Sequence, residues 1–252
     1  MSSDNQNLIC LDTSALLLDV DGTLLDIAEV PAAVDVPHRL QNALHRLHQR
    51  TGGAIAFVSG RPLSDLDRLF NPLRLAAIAG HGAEVRLSDT EPPQRLAFTL
   101  EPDLREQFRA IAGTLTGVVF EDKGYSIALH YRLAPQHGEV LRDAVAAACA
   151  PYPSSAIEVL PGKALLEIKP AGFSKGTAVR ELMKRPPFLG RQPVFLGDDV
   201  TDETVFAILP ELNGIGYSVG YQAAGLAGCF AHPADVRDWI YRLAETDAVT
   251  RQ

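Results

Sequence analysis

The stretch "LLLDVDGTLLDI", Leu16–Ile27, decides how the rest of the chain is read. Leu16, Leu17, Leu18 and Val20 suit a buried strand, yet the run carries Asp19 and then meets Asp21, Gly22 and Thr23. Carboxylates are among the most costly groups to remove from water, so a strand that runs straight into two of them needs a reason. Either the aspartates end a strand and cap a turn, or they are a site.

Working outward, the same pattern recurs. "AIAFVSG" (54–60), "LAAIAG" (75–80) and "PVFLGDD" (193–199) are short apolar runs, most ending in small or charged residues. Helical patterns lie between them. Leu40, Ala43, Leu44 and Leu47 share one stripe in 36–50, and Pro62 opens a helix in 61–70. Further helices are expected over 174–185, where Ser174 is the cap, over 201–209 and over 235–245, with short strands at 214–219 and 227–231. Continuous apolar strands separated by helices predict an α/β fold, a Rossmann-like doubly wound parallel sheet covered on both faces.

The middle of the chain reads differently. Helical patterns at 104–117 and 135–150 alternate with strand pairs at 117–122 and 125–132 and at 156–161 and 164–170. Lys123-Gly124 and Gly162-Lys163 are the turn signals that make each pair a hairpin. The expected organisation is a core of residues 1–102 and 171–252, interrupted by a smaller α+β domain over 103–170.

Composition narrows the function classes. A net charge of -8 argues against a general nucleic-acid binder, which wants a basic face. Three widely spaced cysteines, Cys10, Cys149 and Cys229, form no CxxC pair and fit reduced thiols better than a disulfide framework. The start, "MSSDNQNLICLDTS", has no basic region followed by an apolar run, and no stretch approaches a membrane span. These features read as a soluble cytoplasmic protein with no nucleic-acid or membrane partner.

Three clusters end core strands: Asp19-Val20-Asp21-Gly22-Thr23, Ser59-Gly60-Arg61 and Gly197-Asp198-Asp199. Each alone is ordinary punctuation. In a doubly wound sheet all three converge on the carboxyl edge, and together they suit phosphoryl transfer. Asp19 can attack phosphorus and form an aspartyl-phosphate. Bringing a carboxylate to a phosphate calls for a divalent cation, and hard oxygen ligands suit Mg²⁺. Asp198 supplies the opposing carboxylate, and Asp199 or Asp202 completes or orients the shell. Asp21, two residues after the nucleophile, can protonate the leaving oxygen and later deprotonate water. Gly22 allows close backbone approach to the phosphate, and Ser59 with Gly60 faces the phosphoryl oxygens. Lys175 offers a cation and helix N-terminal N–H groups to an anion.

In order and spacing, "DVDGT", Ser59, Lys175 and "GDDVTDE" (197–203) resemble the four motifs of the haloacid dehalogenase (HAD) superfamily of phosphatases. The resemblance implies Asp19 as nucleophile, Asp21 as acid/base with its backbone carbonyl on the metal, Asp198 as metal ligand, and an inserted α/β cap of the C2 type. Finer matches are "SGR" (59–61), "GHGAE" (80–84), "EDKGYSIALHYR" (121–132), "GKALLEIKP" (162–170) and "SKG" (174–176). They are similar to the trehalose-6-phosphate phosphatase family, which implies Mg²⁺-dependent hydrolysis of trehalose 6-phosphate, the last step of trehalose biosynthesis. That resemblance puts Glu121, Lys123 and Glu167 on the sugar hydroxyls and Arg61 and His81 at the substrate. On the residues alone, Glu121, Lys123 and Glu167 read as a solvated strand face, and His81 as either a site loop or a turn. His130 and Arg132 are divided between internal hydrogen bonding and substrate contact. Lys163 is either a turn residue or a cleft residue, Asp26 a candidate to face the sugar, and Trp239 packing. The competing readings are a sugar phosphatase for sucrose phosphate or a mannosyl phosphate, and a phosphate-accepting signalling module. Association with a trehalose-6-phosphate synthase leaves no signature in these residues.

Overall fold

The computed structural model describes residues 9–27, 35–95, 100–153, 156–162 and 164–246. The first residues, on which the absence of a leader was read, and Lys163 lie outside the described residues. The chain divides into two compact units, residues 1–95 with 174–252, and residues 96–173.

In the first unit the chain forms β1 (Ser14–Leu18), α1 (His38–Arg50), β2 (Ile55–Val58), α2 (Leu63–Leu69), β3 (Ala76–Ala79), β4 (Glu84–Arg86) and β5 (Gln94–Arg95). The second unit holds α3 (Pro102–Thr114), β6 (Val119–Asp122), β7 (Ile127–His130), α4 (Gly138–Cys149), β8 (Ile157–Gly162) and β9 (Leu165–Pro170). The chain then returns to the first unit with α5 (Lys175–Leu182), β10 (Gln192–Gly197), α6 (Glu203–Phe206), β11 (Ile215–Val219), β12 (Gly228–Phe230) and α7 (Pro233–Glu245).

The first unit's sheet runs β12-β11-β10-β1-β2-β3-β4-β5, and every pairing from β12 to β3 is parallel. β1 is central because its residues can be buried on both sides. Leu16 and Leu18 pack into a layer with Leu40, Leu44 and Leu47 of α1 and Trp239 and Ile240 of α7. Ala15 and Leu17 pack on the other face with Val179 and Leu182 of α5 and Phe206 of α6. Each fully buried leucine contributes roughly 2 kcal/mol, which supplies stability against which a charge at the strand's tip can be held. Trp239 is core, packed against Tyr217 and Phe230.

Two local expectations change. β4 and β5 extend the sheet by antiparallel pairing, where no strand was expected. Charged Glu84 and Arg86 hide β4 from a hydrophobic pattern. Arg86 is nonetheless buried, because its guanidinium donates to Leu75 O and to both carboxylate oxygens of Asp67. The helix expected over 201–209 is instead a 3-10 turn (Val200–Asp202), a single turn of α-helix and a second 3-10 turn (Pro210–Leu212). Asp199 caps the first turn, and Pro210 has no N–H with which to continue the ladder.

The second unit is a four-stranded antiparallel sheet in the order β6-β7-β9-β8, both hairpins forming as the turn signals predict. Ile127 and Leu129 of β7 and Leu166 and Ile168 of β9 face Leu104 and Phe108 of α3 and Leu141 and Val145 of α4. Alternation then sends Glu121, Ala128, His130, Glu167 and Lys169 to the opposite face. Among the described residues no helix is long and apolar enough to cross a membrane.

Candidate active site

β1 pairs with β10 on one side and β2 on the other, so the chain's winding reverses between β1 and β10. Their carboxyl ends deliver Asp19 and Asp198 to one edge, the usual place for a ligand in such sheets. Asp19, Asp198 and Asp202 each place one carboxylate oxygen within 4.8 Å of the others. The side chains of Asp21 and Asp199 are not in this group. Asp199 instead turns its carboxylate onto the Val200 N–H.

The centre is buried: Asp19 is 4% exposed, Lys175 3% and Asp202 0%. The Lys175 ammonium donates to Asp19 Oδ1 and to Asp202 Oδ1, both at 2.8 Å. The other Asp202 oxygen accepts from the backbone N–H of Asp198 at 2.9 Å and of Asp199 at 3.0 Å. Asp202 thus orients the loop that carries Asp198. Burial pushes Asp19 well above the usual carboxylate range. Lys175 opposes the shift, while Asp202 and Asp198 add to it. Burial pulls the Lys175 ammonium down, and the attraction of Asp19 and Asp202 more than offsets it, so its proton is held more firmly than in an ordinary lysine. Three carboxylates gather here around one ammonium, an excess of acidic over basic side chains. A divalent cation matches that balance and the all-oxygen donor set, so the residues fit such an ion.

Gly22 has a steric reason within the fold. Its φ is +87°, and a Cβ there would lie 2.1 Å from Asp198 Oδ2, so the missing side chain makes room for Asp198. Thr23 Oγ1 donates to Asp198 Oδ1 at 3.4 Å and fixes the same carboxylate. The N–H groups expected to be open at the start of α5 are also committed. Gly176 donates to Thr204 Oγ1, Thr177 to the capping Ser174 Oγ, and Ala178 to Ser174 O. Lys175 therefore contributes through its ammonium rather than through a ring of backbone donors.

Arg61, expected at the substrate, grips Asp21. Nε donates to Oδ2 and Nη2 to Oδ1, each at 2.6 Å. This two-pronged contact fixes the plane of the Asp21 carboxylate. Ser59 Oγ accepts from the Arg61 N–H at 3.1 Å, which uses a lone pair and leaves its proton to donate elsewhere. His81 lies against this loop: its N–H donates to Ser59 O, and a Cβ on Gly60 would lie 2.3 Å from its Nε2. Its φ of 55° is left-handed, a strained conformation for a residue with a side chain. Gly60 thus serves His81 by close approach. Asp26 is largely exposed and pairs with Arg237 at 3.1 Å.

In the second unit Glu167 is buried rather than solvated. Ser126 Oγ donates to its Oε1 at 2.7 Å and Lys123 Nζ to its Oε2 at 2.9 Å. Glu121 stands opposite Ala128, which stands opposite Glu167, so both carboxylates lie in one row on the polar face. His130 Nε2 lies 2.8 Å from Glu121 Oε2. Ser126 and the Arg61 clamp were missed in the sequence. The alternating polar positions of 125–132 signalled Ser126, and nothing local signalled the clamp. Lys169, also missed, is buried against Glu158, Phe173 O and the Phe173 ring.

A family model described as trehalose-phosphatase matches residues 17–225. Trehalose-6-phosphate phosphatase of Escherichia coli K12 is 37% identical over 227 residues, 90% of this chain and 85% of that protein. A Sinorhizobium fredii protein described as a probable trehalose-phosphate phosphatase is 41% identical over 211 residues, 83% of this chain and 79% of its own length. The C-terminal domain of Candida albicans trehalose-6-phosphate phosphatase superposes with a TM-score of 0.82 at 22% identity, over 96% of this chain and 94% of that one, a likeness of fold. The match runs from the middle of β1 past the carboxylate cluster and takes in the whole second unit, and on that extent the chain belongs to the trehalose-phosphatase family of phosphoric monoester hydrolases.

Proposed function

We propose that this enzyme hydrolyses trehalose 6-phosphate to trehalose and phosphate, using Mg²⁺ and an aspartyl-phosphate intermediate. The observation that carries the reading is the gathering of Asp19, Asp198, Asp202 and Lys175 at the carboxyl edge of β1 and β10. Asp19 and Asp198, with the backbone carbonyl of Asp21, would hold the ion, while Asp202 keeps Asp198 in position. When bound, Mg²⁺ neutralises charge on the phosphoryl oxygens and on the carboxylates around it.

Asp19 attacks phosphorus, and the bond from phosphorus to the sugar oxygen breaks as the one to Asp19 forms. Asp21 gives its proton to the departing sugar oxygen. It then takes a proton from the water that displaces phosphate from Asp19, which returns both aspartates to their starting forms. Lys175 opposes the effect of burial on Asp19 and faces the phosphoryl oxygens. Ser59 donates its hydroxyl proton to one of them, with Gly60 and His81 shaping the same loop. Arg61 acts through Asp21, by holding the plane from which the proton is delivered.

Glu121, Lys123 and Glu167 recognise the sugar hydroxyls. Charged groups give directional hydrogen bonds, and a wrong sugar would leave them unpaired. Glu167→Ala is expected to lower kcat/KM for trehalose 6-phosphate about 100-fold and to leave p-nitrophenyl phosphate within about twofold of the parent enzyme. Steady-state phosphate release on both substrates tests this. Equal losses on the two would remove Glu167 from specificity.

A further inference from the structure

The polar face of the second unit contains a residue that the catalytic and sugar-binding assignments leave unused. His130 is in β7, and the register pairs it with Val119 while Glu121 pairs with Ala128. The two side chains are therefore diagonal neighbours on one face, a separation that long side chains bridge. His130 Nε2 sits 2.8 Å from Glu121 Oε2. Among the described residues no donor reaches Oε1. Both side chains are about one-third exposed. The hydrogen bond from His130 is also the largest cause that keeps Glu121 below the usual carboxylate range, with Lys123 adding to it.

Resting on the sugar-binding reading above, we propose that His130 is a positioning residue for sugar specificity. It ties down one oxygen of Glu121 and leaves the other aimed and ionised for a sugar hydroxyl. Glu167 is likewise fixed by its neighbours, though at both oxygens, by Ser126 and Lys123. An unheld glutamate on a strand would sample several rotamers, and ordering it would then fall on substrate binding. Position 130 therefore acts on KM for the sugar phosphate and not on the chemistry at Asp19.

The test compares His130→Phe, which keeps the ring and removes the donor, with His130→Gln, whose amide N–H can replace Nε2–H. His130→Phe is expected to raise KM for trehalose 6-phosphate about tenfold, with kcat and p-nitrophenyl phosphate turnover essentially unchanged. His130→Gln is expected to recover most of the loss. An unchanged KM in His130→Phe, an equal loss on both substrates, or a glutamine variant as poor as phenylalanine would each overturn the proposal. Parent enzyme that prefers a different sugar phosphate would overturn only the choice of sugar, and the same two variants on that sugar then decide the role of His130. Parent enzyme with no preference for any sugar phosphate over the generic ester would overturn both.

Discussion

Asp19→Asn is expected to reduce turnover on the order of 10⁵-fold, the scale seen when a covalent nucleophile is removed, while the protein stays folded. Asparagine has the shape of aspartate and keeps an oxygen for Lys175, which also retains Asp202 at 2.8 Å. Burial raises the folded pKa of Asp19, so its ionisation at neutral pH works against the fold, and the neutral amide removes that cost. The lost attraction to Lys175 acts in the opposite direction. Denaturant unfolding is therefore expected within about 1 kcal/mol of the parent. Full phosphate release by this variant would remove Asp19 as the nucleophile.

Lys175→Met tests the other half of the centre and gives the reverse pattern, with large losses in both activity and stability. Methionine fills the space but leaves Asp19 and Asp202 buried without their cation. Breaking one side of a buried ion pair costs about 3–5 kcal/mol, a fall in Tm of roughly 10 °C for a chain of this size. Activity falls with it, because Asp19 loses the charge that opposes its protonation. Added Mg²⁺ is expected to recover part of the lost stability, since an ion that binds only the folded state shifts the equilibrium towards it. Urea unfolding with and without the ion checks both statements. Unchanged stability would mean that Lys175 is not what balances the cluster.

Much of this was readable from residues alone because burial on two faces leaves a plain signature. β2 and β3 are unbroken apolar runs for that reason, and β1 and β10 are apolar after a polar first residue. Their polar ends had to converge once the sheet was parallel. Ser174 and the Lys123-Gly124 turn were equally direct, since capping and turn chemistry are local. What escaped the sequence depends on side chains that meet only after folding. Arg61 and Asp21 are forty residues apart, and no pattern says that the guanidinium engages the aspartate rather than a ligand. Gly22 marked a close approach, but only the fold reveals that the approaching group is Asp198. The one-turn α6 follows from Asp199 and Asp202 turning their carboxylates onto backbone N–H groups, a choice their composition does not encode.

The most direct test of the central claim is phosphate release across trehalose 6-phosphate, sucrose 6-phosphate, a mannosyl phosphate and p-nitrophenyl phosphate, each with Mg²⁺ and after EDTA. The account predicts a kcat/KM for trehalose 6-phosphate at least about 100-fold above the others, lost in EDTA and restored by Mg²⁺. Comparable rates on all four esters, preference for another sugar, or full activity in EDTA would contradict it.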